Sequence, residues 1–500
     1  MIPDKKAGAF WFAVAGAIII VVRLAGLRFY PELAIDEGLW TLQAKDYVLF
    51  GEPHMNGLRH LYLSPLSFAL YTLWFKCLPA TCFSVRLLSA ILGILTWLLA
   101  FKLADRVFGR RAAMISTLLL GFCFTDVVIH RRAYLENGVL FFSTMLILLS
   151  LSKHRVSLFG MFAGVAALML YKANAIYVLP ALLVPCALTT REWQASQRRT
   201  MVVMLGLLVS LAVFFLLYRL DPGRFRAAYE FELTKTARAR AFFRVGRFGL
   251  YPDVLVSTVS GLSRRCSELV AMIGLAVPAV LWRPLRRFQG FWSIWLWLAV
   301  GCVFLMAQGF QHDQYFAPLA VPAVLIIGGL YQAAADRSLK CRWAILALCV
   351  ALMSFSLCRM GIGAYRTVRD NHNRGLAMLE WAETHSREGE AILVNADTAA
   401  ATTRRAYAFH RIFRPYPPER APSLTEFVEK QRIRAVIDDQ WEVRSIGLGE
   451  AFFEPLEKIA EVERFSTWTG YLIKAERLKA EKLRYDAGGD RLSAGTGRPR

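Results

Sequence analysis

Two adjacent carboxylates, Asp36 and Glu37, follow directly on the first long apolar run of the chain. Residues 9–22 are uninterrupted apolar residues, and the segment AIDEGLW comes soon after them. Acidic side chains are costly in or beside a lipid bilayer, so those found there usually serve a function. We expect a general base, or a ligand for a metal or hydroxyl, at the membrane surface. The structural alternative is that Asp36 caps the helix that follows, with Glu37 in its first turn.

A second cluster of charge lies in HRRAYLENG, residues 130–138, at the end of another apolar run. It combines His130 with Arg131, Arg132 and Glu136. A guanidinium group suits a phosphate, and the carboxylate would complement the first acidic pair. If the segment is helical, however, Arg132 and Glu136 are four residues apart and could simply pair with each other.

A third cluster, HDQYFAPLAVP, begins a later apolar run and contains His312 and Tyr315. The pair Tyr171-Lys172 ends yet another run. Both are candidates for substrate binding. Tyr315 could also be an ordinary interfacial aromatic residue, and Lys172 could only extend its ammonium towards water.

Histidines in the predicted first loop raise the question of a metal. His54 and His60 could ligate a cation together with Asp36, and we expect Mg²⁺ or Mn²⁺ if there is one. The histidines have no helical spacing, however, so this pattern is weak, and acid–base chemistry by carboxylates requires no cofactor.

The composition sets the broad class. The chain has 500 residues, of which 56% are hydrophobic, and its mean hydropathy is +0.39. Soluble domains do not average so high. The net charge of +22 fits lysines and arginines in cytoplasmic loops against anionic lipid, and no RNA-reading aromatic motif accompanies it, which excludes nucleic acid as a partner. The cysteines form no CxxC motif and are interpreted as small buried apolar residues.

Charge clusters orient the apolar runs. Basic clusters recur between them, and the positive-inside rule places these on one side if the run 61–80 does not cross. That run contains Pro65, Lys76 and Pro79, so we predict a re-entrant or interfacial segment. The result is a polytopic helical protein of about 11–13 spans with a cytoplasmic N-terminus. The predicted spans are 9–27, 87–105, 112–129, 137–152, 156–172, 174–190, 200–219, 266–282, 291–308, 314–333 and 343–362.

This threading predicts the domain organisation. A transmembrane core covers 1–363, with a long external loop at 28–86 and a basic external loop at 220–265. The basic loop favours either an anionic partner such as a lipid phosphate, or a solvated face lying on headgroups. A small α/β extracytoplasmic domain covers 364–478, and a disordered tail covers 479–500.

The elements of the α/β domain are visible in its patterning. GLAMLEWAETH has helical periodicity. The segments AILVNA, RAVIDDQ and GYLIKAE are typical of short buried strands. Between strands, SLTEFVEKQRI is predicted to be a helix that begins after Ser423, with Glu426 at the capping-box spacing.

In order and spacing, these segments resemble the C-type integral-membrane glycosyltransferases, and within them the protein O-mannosyltransferase and aminoarabinose transferase group (family 39-like). The similar segments are DEGLW after the first span, SPLSFALYTLWFKCL with the two spans that follow, HRRAYLENGVLFF, and DQYFAPLAVP. The resemblance covers about residues 10–330, and the C-terminal domain fits it loosely.

The resemblance implies a membrane glycosyltransferase that moves a sugar from a polyprenyl-phosphate donor to a hydroxyl of a glycan, lipid or protein acceptor, with inversion. It implies an active site at the outer face of the membrane, in this case a bacterial inner membrane, with the C-terminal domain in the periplasm. The implied roles fall on residues already singled out: Asp36 as the base, with Glu37 beside it, and Glu136 as the second acid. Arg132 and Tyr315 are implied as contacts to the donor phosphate. His60, Arg131, Lys172 and His312 are further candidates for contacts to the donor phosphate or substrate, on the residues themselves.

The sequence departs from the group's pattern in its first loop, which reads HLYLSPL where a charged pair is usual. It also departs at Glu136, where Asp is more usual, and at Gln314, where a cation is common. A transporter or flippase of lipid-linked sugars is the alternative. It is disfavoured because no internal repeat is found and the acids sit at helix ends rather than at mid-membrane. A non-catalytic scaffold would leave the acids and the basic loop without a shared purpose.

Overall fold

The computed structural model describes most of the chain. The described residues are 5–31, 34–51, 59–152, 155–183, 193–235, 265–307, 313–369, 374–387, 390–394, 398–399, 401–408, 423–439, 452–465, 468–474 and 476–478. The chain forms two compact units. The first comprises Met1–Pro31, Gly57–Tyr71 and Arg86–His372, and the second Glu32–Asn56, Thr72–Val85 and Asn373–Arg500. His54, His312, residues 236–264 of the basic loop and the tail 479–500 lie outside the described residues.

Most helices belong to the first unit. The second unit contains the second helix of the chain and the last three. In chain order they are α1 (Lys5–Leu24), α2 (Ile35–Phe50), α3 (Arg59–Leu63), α4 (Pro65–Cys77), α5 (Cys82–Phe108), α6 (Arg110–Phe122), α7 (Phe124–His130), α8 (Glu136–Ser150), α9 (Arg155–Tyr171), α10 (Trp193–Leu220), α11 (Pro222–Lys235), α12 (Ser267–Ala276), α13 (Phe291–Ala307), α14 (Asp313–Phe316), α15 (Ala320–Ala335), α16 (Leu339–Arg369), α17 (Arg374–His385), α18 (Leu424–Lys430) and α19 (Glu454–Ile459). Short 3₁₀ segments occupy Ala173–Val178, Pro278–Leu281, Leu285–Arg287 and Ala317–Leu319.

In the part of the chain that the structure describes, each predicted span coincides with an apolar helix or, for 112–129, with a bent pair of helices. Within the described ranges, four helices are long and apolar enough to cross a membrane: Cys82–Phe108, Gln197–Leu220, Gln314–Ala335 and Leu339–Arg366. The pair α6–α7, bent by 63°, makes a fifth if it is one span. The other predicted spans fall on shorter apolar helices: Phe12–Leu24, Glu136–Ser150, Val156–Tyr171, Ala173–Leu183, Ser267–Leu281 and Phe291–Phe304. The predicted helical membrane fold is confirmed, while the number of crossings and their direction stay predictions.

The apolar run 61–80 is broken where the sequence places a proline. Helix α3 ends at Leu63 and α4 begins at Pro65, because proline suits the first position of a helix and disrupts its interior. At 1.5 Å per residue, α4 is roughly 20 Å long, less than the ~30 Å of a bilayer core. A segment of this length fits the re-entrant or interfacial placement that the sequence predicts.

The core of the first unit is organised around α15, which is almost wholly buried. It packs against α6, α12, α13 and α16. Gly328 permits the contact with α6, since an added Cβ would overlap the Ser116 hydroxyl and lie 2.6 Å from the carbonyl oxygen of Ala112. Small residues of this kind let helices approach closely within a membrane, where packing drives association.

The second unit contains a five-stranded mixed sheet with strand order β2-β1-β3-β5-β4. The strands are β1 (Ala391–Val394), β2 (Arg405–Ala408), β3 (Ile433–Asp439), β4 (Ala460–Arg464) and β5 (Trp468–Ile473). Strand β1 runs parallel to β2 and β3, and β5 runs antiparallel to β3 and β4. The predicted strands β1, β3 and β5 are therefore present. Helix α18 begins after Ser423 as predicted, but the Ser423 side chain makes no capping hydrogen bond, so the predicted side-chain cap is wrong.

The sequence does not predict the two edge strands. Strand β2 is only four residues long, and β4 reads AEVER, in which the charged residues are exposed. Edge strands need little apolar sequence, and charge protects them from pairing with other chains. Their patterns are therefore weaker than those of the buried central strands.

Candidate active site

Glu136 and Lys172 form an ion pair within the first unit. Glu136 is the first residue of α8, and Lys172 follows the last residue of α9 with extended backbone. These antiparallel helices pack together, so the start of one lies beside the end of the other. The Lys172 ammonium donates to a Glu136 carboxylate oxygen. The Lys172 side chain is 15% exposed and that of Glu136 is 4% exposed, so the pair is largely but not wholly desolvated.

Tyr315 completes this group. The Lys172 ammonium lies 5.1 Å from the centroid of the Tyr315 ring, which is a cation–π distance. Three of the residues predicted from sequence therefore meet at one place, and they come from segments far apart in the chain. We call Glu136, Lys172 and Tyr315 the lysine cluster.

The segment that carries His60 is attached to the same helix end. His60 Nε2 lies 3.2 Å from Ser67 Oγ, and the Ser64 hydroxyl donates to the carbonyl of Tyr171, the residue before Lys172. Glycine is required nearby, since a Cβ on Gly138 would collide with the Tyr171 ring. His60 is 1% exposed, so it supports the site from within.

The arginines of HRRAYLENG face different partners. Arg131 donates to carbonyl oxygens at and beyond the end of α1: to Val22, to Ala25 at 2.6 Å and to Tyr30 at 2.9 Å. It thereby satisfies carbonyls that a helix end leaves open. Arg132 lies in the turn before α8, and its Nη1 is 3.3 Å from the Tyr134 hydroxyl. Donor contacts for both arginines stay predictions.

A buried ionic network, which the sequence does not predict, crosses the first unit. Arg23 Nη2 lies 2.6 Å from Asp126 Oδ2, and both side chains are fully buried. His130 Nδ1 lies 3.3 Å from the same carboxylate oxygen. Glu268 accepts a hydrogen bond of 2.9 Å from the Thr125 amide and also pairs with Arg359. One sequence feature could have predicted the Arg23–Asp126 pair. Each residue is a charge inside an apolar run, the two charges are opposite, and buried charges need partners.

Asp36 and Glu37 belong to the second unit and are described within it. Helix α2 begins at Ile35 after the extended residue Ala34, so Asp36 lies in the first turn and is not the cap. The Glu37 carboxylate accepts a hydrogen bond of 3.1 Å from the Ala34 amide. Glu37 is therefore fixed at the helix start and is 1% exposed, whereas Asp36 is half-buried. The predicted meeting of Asp36 with Glu136 stays a prediction.

The described part of the basic loop is mainly the helix α11, with Arg265 at the far end of the loop. Arg224 Nε lies 3.4 Å from the Asp221 carboxylate, and Arg226 Nη2 donates to the Tyr218 hydroxyl at 2.8 Å. Both arginines are exposed. They can reach an anionic surface, and a phosphate partner for them stays a prediction.

No three metal-binding side chains gather anywhere in the described ranges. His60 binds Ser67, and His54 lies outside those ranges. A role for Mg²⁺ or Mn²⁺ at Asp36, His54 and His60 therefore stays a prediction.

Comparisons with known proteins show what the chain is similar to. Residues 63–218 match the family model of dolichyl-phosphate-mannose-protein mannosyltransferases. No curated protein matches the sequence at a significant level.

Solved structures share the fold at low sequence identity. ArnT from Cupriavidus metallidurans in the apo state is 14% identical with a TM-score of 0.61, over 94% of this chain and 99% of that one. The same enzyme bound to undecaprenyl phosphate gives 14% and 0.58, over 95% and 99%. The Archaeoglobus fulgidus oligosaccharyltransferase tethered to an acceptor peptide gives 14% and 0.52, over 93% and 74%.

The family model covers the helices that carry Glu136 and Lys172, and the similarity to the ArnT fold extends over nearly the whole chain. The predicted resemblance to the C-type membrane glycosyltransferases of the protein O-mannosyltransferase and aminoarabinose transferase group is therefore confirmed, through the family model over residues 63–218 and through the shared fold.

Proposed function

We propose that this protein transfers a glycosyl group from a polyprenyl-phosphate donor to a hydroxyl acceptor at the outer face of the membrane, with inversion at the anomeric carbon. The lysine cluster is the observation that carries this proposal. It holds a cation at the end of an apolar helix, largely out of water, where the phosphate of a lipid carrier would need one.

In the proposed step, Asp36 accepts the proton of the acceptor hydroxyl as its oxygen attacks the anomeric carbon. The bond between that carbon and the phosphate oxygen breaks, and the electron pair leaves with the polyprenyl phosphate. A single displacement of this kind inverts the anomeric centre. Asp36 suits the base role better than Glu37, since the Glu37 carboxylate already holds the start of α2.

Lys172 is the proposed partner of the leaving phosphate. Its ammonium is already oriented by Glu136 and by the Tyr315 ring. The phosphate gains negative charge as it leaves, so it attracts the Lys172 ammonium more strongly in the transition state than in the bound donor. This stronger attraction lowers the activation barrier of transfer. Glu136 then keeps Lys172 in place rather than taking a proton itself.

The comparisons support the class of donor. One ArnT structure contains undecaprenyl phosphate, a lipid carrier with a phosphate at its end. The proposed chemistry uses that phosphate as leaving group and leaves open which sugar is attached. It also requires no metal, because an ammonium group can neutralise the leaving phosphate.

The test is a transfer assay with purified full-length protein and a panel of polyprenyl-phosphate sugars, read by the mass of the released lipid. Asp36→Asn should lower kcat by about 10²–10⁴-fold, the usual contribution of a general base. Asp105→Asn, which removes an exposed carboxylate from α5, is the matched control and should keep full activity. Full activity of Asp36→Asn would refute its role as base.

The same preparation separates the enzyme from the alternative transporter. In sealed vesicles, a glycosyltransferase releases polyprenyl phosphate in proportion to glycosylated acceptor. Movement of intact lipid-linked sugar across the bilayer, without release of polyprenyl phosphate, would instead support the flippase.

A further inference from the structure

Helix α2 carries the proposed base at one end and two buried charged residues near the other. Lys45 and Asp46 are both fully buried, which is rare for charged side chains unless they have partners. Their partners come from the C-terminal part of the chain, within the same compact unit.

Lys45 is bound by main-chain carbonyls. Its ammonium donates to the carbonyl oxygen of Ala399 at 2.6 Å and to that of Arg404 at 3.0 Å. Both acceptors precede β2, which begins at Arg405, and they lie more than 350 residues along the chain from Lys45. Main-chain carbonyls of a packed domain cannot move with a side chain. Two such acceptors therefore fix the position of the Lys45 ammonium group.

Apolar contacts hold the same helix. Leu39 and Leu42 belong to one buried core with residues of the sheet and of α17, among them Trp381 and Ile392. The Arg405 guanidinium also lies 5.1 Å from the centroid of the Phe50 ring, at the last residue of α2. The helix is therefore an element of the C-terminal domain's core, although its sequence lies in the first loop.

Asp46 occupies the same core. Among the described residues, neither of its carboxylate oxygens has a hydrogen-bond partner. The charged and titratable groups that act on it are Lys45, Arg405 and Tyr407, and Glu383 acts on Lys45. The Lys45 ammonium is held by two hydrogen bonds, whereas the neighbouring Asp46 carboxyl makes none among the described residues. Lys45 is therefore the member of this pair that fixes the position of α2.

We propose that Lys45 is a positioning residue for the transfer reaction, through which the C-terminal α/β domain holds α2 and thereby aims Asp36. The proposal rests on the proposed function, which gives Asp36 its role as base. It assigns the C-terminal domain a part in catalysis without any contact with substrate.

The geometry explains why one anchor matters. Lys45 lies nine residues after Asp36, so the two are separated by about 13 Å along the helix. Loss of the anchor lets α2 rotate or slide against the sheet, and displacement of a catalytic group by about 1 Å can cost about 10²-fold in rate.

The test is Lys45→Met in the full-length protein, which keeps the length of the side chain and removes its donors. We expect kcat to fall about 10²-fold while KM for the lipid donor changes less than about twofold, because α2 aims the base rather than binding the phosphate. Lys45→Gln keeps amide donors for a carbonyl and should lose less activity than Lys45→Met. Lys430→Met, at an exposed lysine of the same unit, should have wild-type kinetics.

Hydrogen exchange supplies a readout independent of activity. Peptides within 35–50 should lose protection in Lys45→Met, while those of β3 and β5 keep it. Val428→Ala controls for general destabilisation, since Val428 is buried in the same core and is not part of the anchor. It should lower the thermal midpoint with kcat retained.

The outcomes are distinct. A folded Lys45→Met with wild-type kcat would overturn the proposal, and so would an equal loss of kcat in Val428→Ala at a matched thermal midpoint. If Lys45→Met does not fold, Lys45→Gln with lost protection of 35–50 and unchanged kcat overturns it as well, because α2 would then be released without any effect on the base. Full activity of Asp36→Asn would remove the base and leave the exchange result intact, so failure of the proposed function is recognised separately.

Discussion

Two lysines, one in each compact unit, are held in different ways. Lys172 pairs with the Glu136 carboxylate and is partly exposed, whereas Lys45 is fully buried and donates to two main-chain carbonyls. A carboxylate can yield its cation when a stronger anion arrives at a site that water can reach. Carbonyls inside a core offer no such exchange. The first arrangement suits binding, and the second suits positioning.

Removal of the Lys172 ammonium should have the largest effect on transfer activity in this comparison of the two lysines. Lys172→Met should lower kcat/KM for a polyprenyl-phosphate donor by about 10²–10³-fold, comparable to the loss of one donor that stabilises developing charge. Lys172→Arg keeps the charge and should retain most activity. The measurement is initial rate against donor concentration. Wild-type kinetics for Lys172→Met would show that both lysines are structural, and the comparison would fail.

The next effect concerns the packing that presents Lys172. Gly138→Ala places a Cβ against the Tyr171 ring, so the end of α9 must move. Overpacking of this kind destabilises by about 1–3 kcal/mol, and transfer should fall with it. Gly274→Ala is the matched control, because a Cβ there meets nothing within 4 Å. Thermal midpoint and transfer rate are measured together, and equal behaviour of the two variants would contradict the prediction.

Glu136→Gln sharpens the assignment of the lysine cluster. If Glu136 only holds Lys172, its loss should raise KM for the donor and change kcat/KM by about tenfold, near the 1.4 kcal/mol of one oriented contact. A fall in kcat of about 10²-fold or more would instead make Glu136 an acid or base in its own right. Steady-state kinetics separate the two results.

The partner of Glu136 shows where sequence reasoning ends. Arg132, four residues before it, was the local alternative. That pairing requires one continuous helix, and α8 begins only at Glu136, so Arg132 lies in the preceding turn. Lys172 pairs with Glu136 instead, because α8 and α9 are antiparallel neighbours and the end of α9 lies beside the start of α8. Apolar periodicity predicts that such helices exist, but which ends meet depends on packing.

The second unit gives the same lesson at longer range. The apolar patterns of AILVNA, RAVIDDQ and GYLIKAE predict three strands, since buried strands need many apolar residues. Nothing near Lys45 in the sequence indicates that carbonyls more than 350 residues away would bind it. In α2, three of the buried positions, 43, 45 and 46, carry polar residues, so the sequence lacks the apolar periodicity of a core helix. That α2 packs in the domain core therefore follows only from the structure.

The smallest effect tests the fixed pair through pH. Burial raises the pKa of the Asp46 carboxyl, while the neighbouring Lys45 and Arg405 lower it without cancelling the effect of burial. The folded protein therefore retains a proton that the unfolded chain loses above the ordinary Asp pKa of 3.8. As the pH rises from about 4 towards 7, wild-type protein should lose stability relative to Asp46→Asn, which has no proton to lose.

Thermal midpoints of the two proteins across that range measure the effect. The advantage of Asp46→Asn should be smallest at the acidic end and should grow until the folded carboxyl itself ionises. The same substitution at the exposed Asp336 controls for loss of a carboxylate. A pH-independent difference would mean that Asp46 is already ionised by its fixed neighbour. The pair would then be an ion pair like that of Lys172, and burial alone would not distinguish the positioning lysine from the binding one.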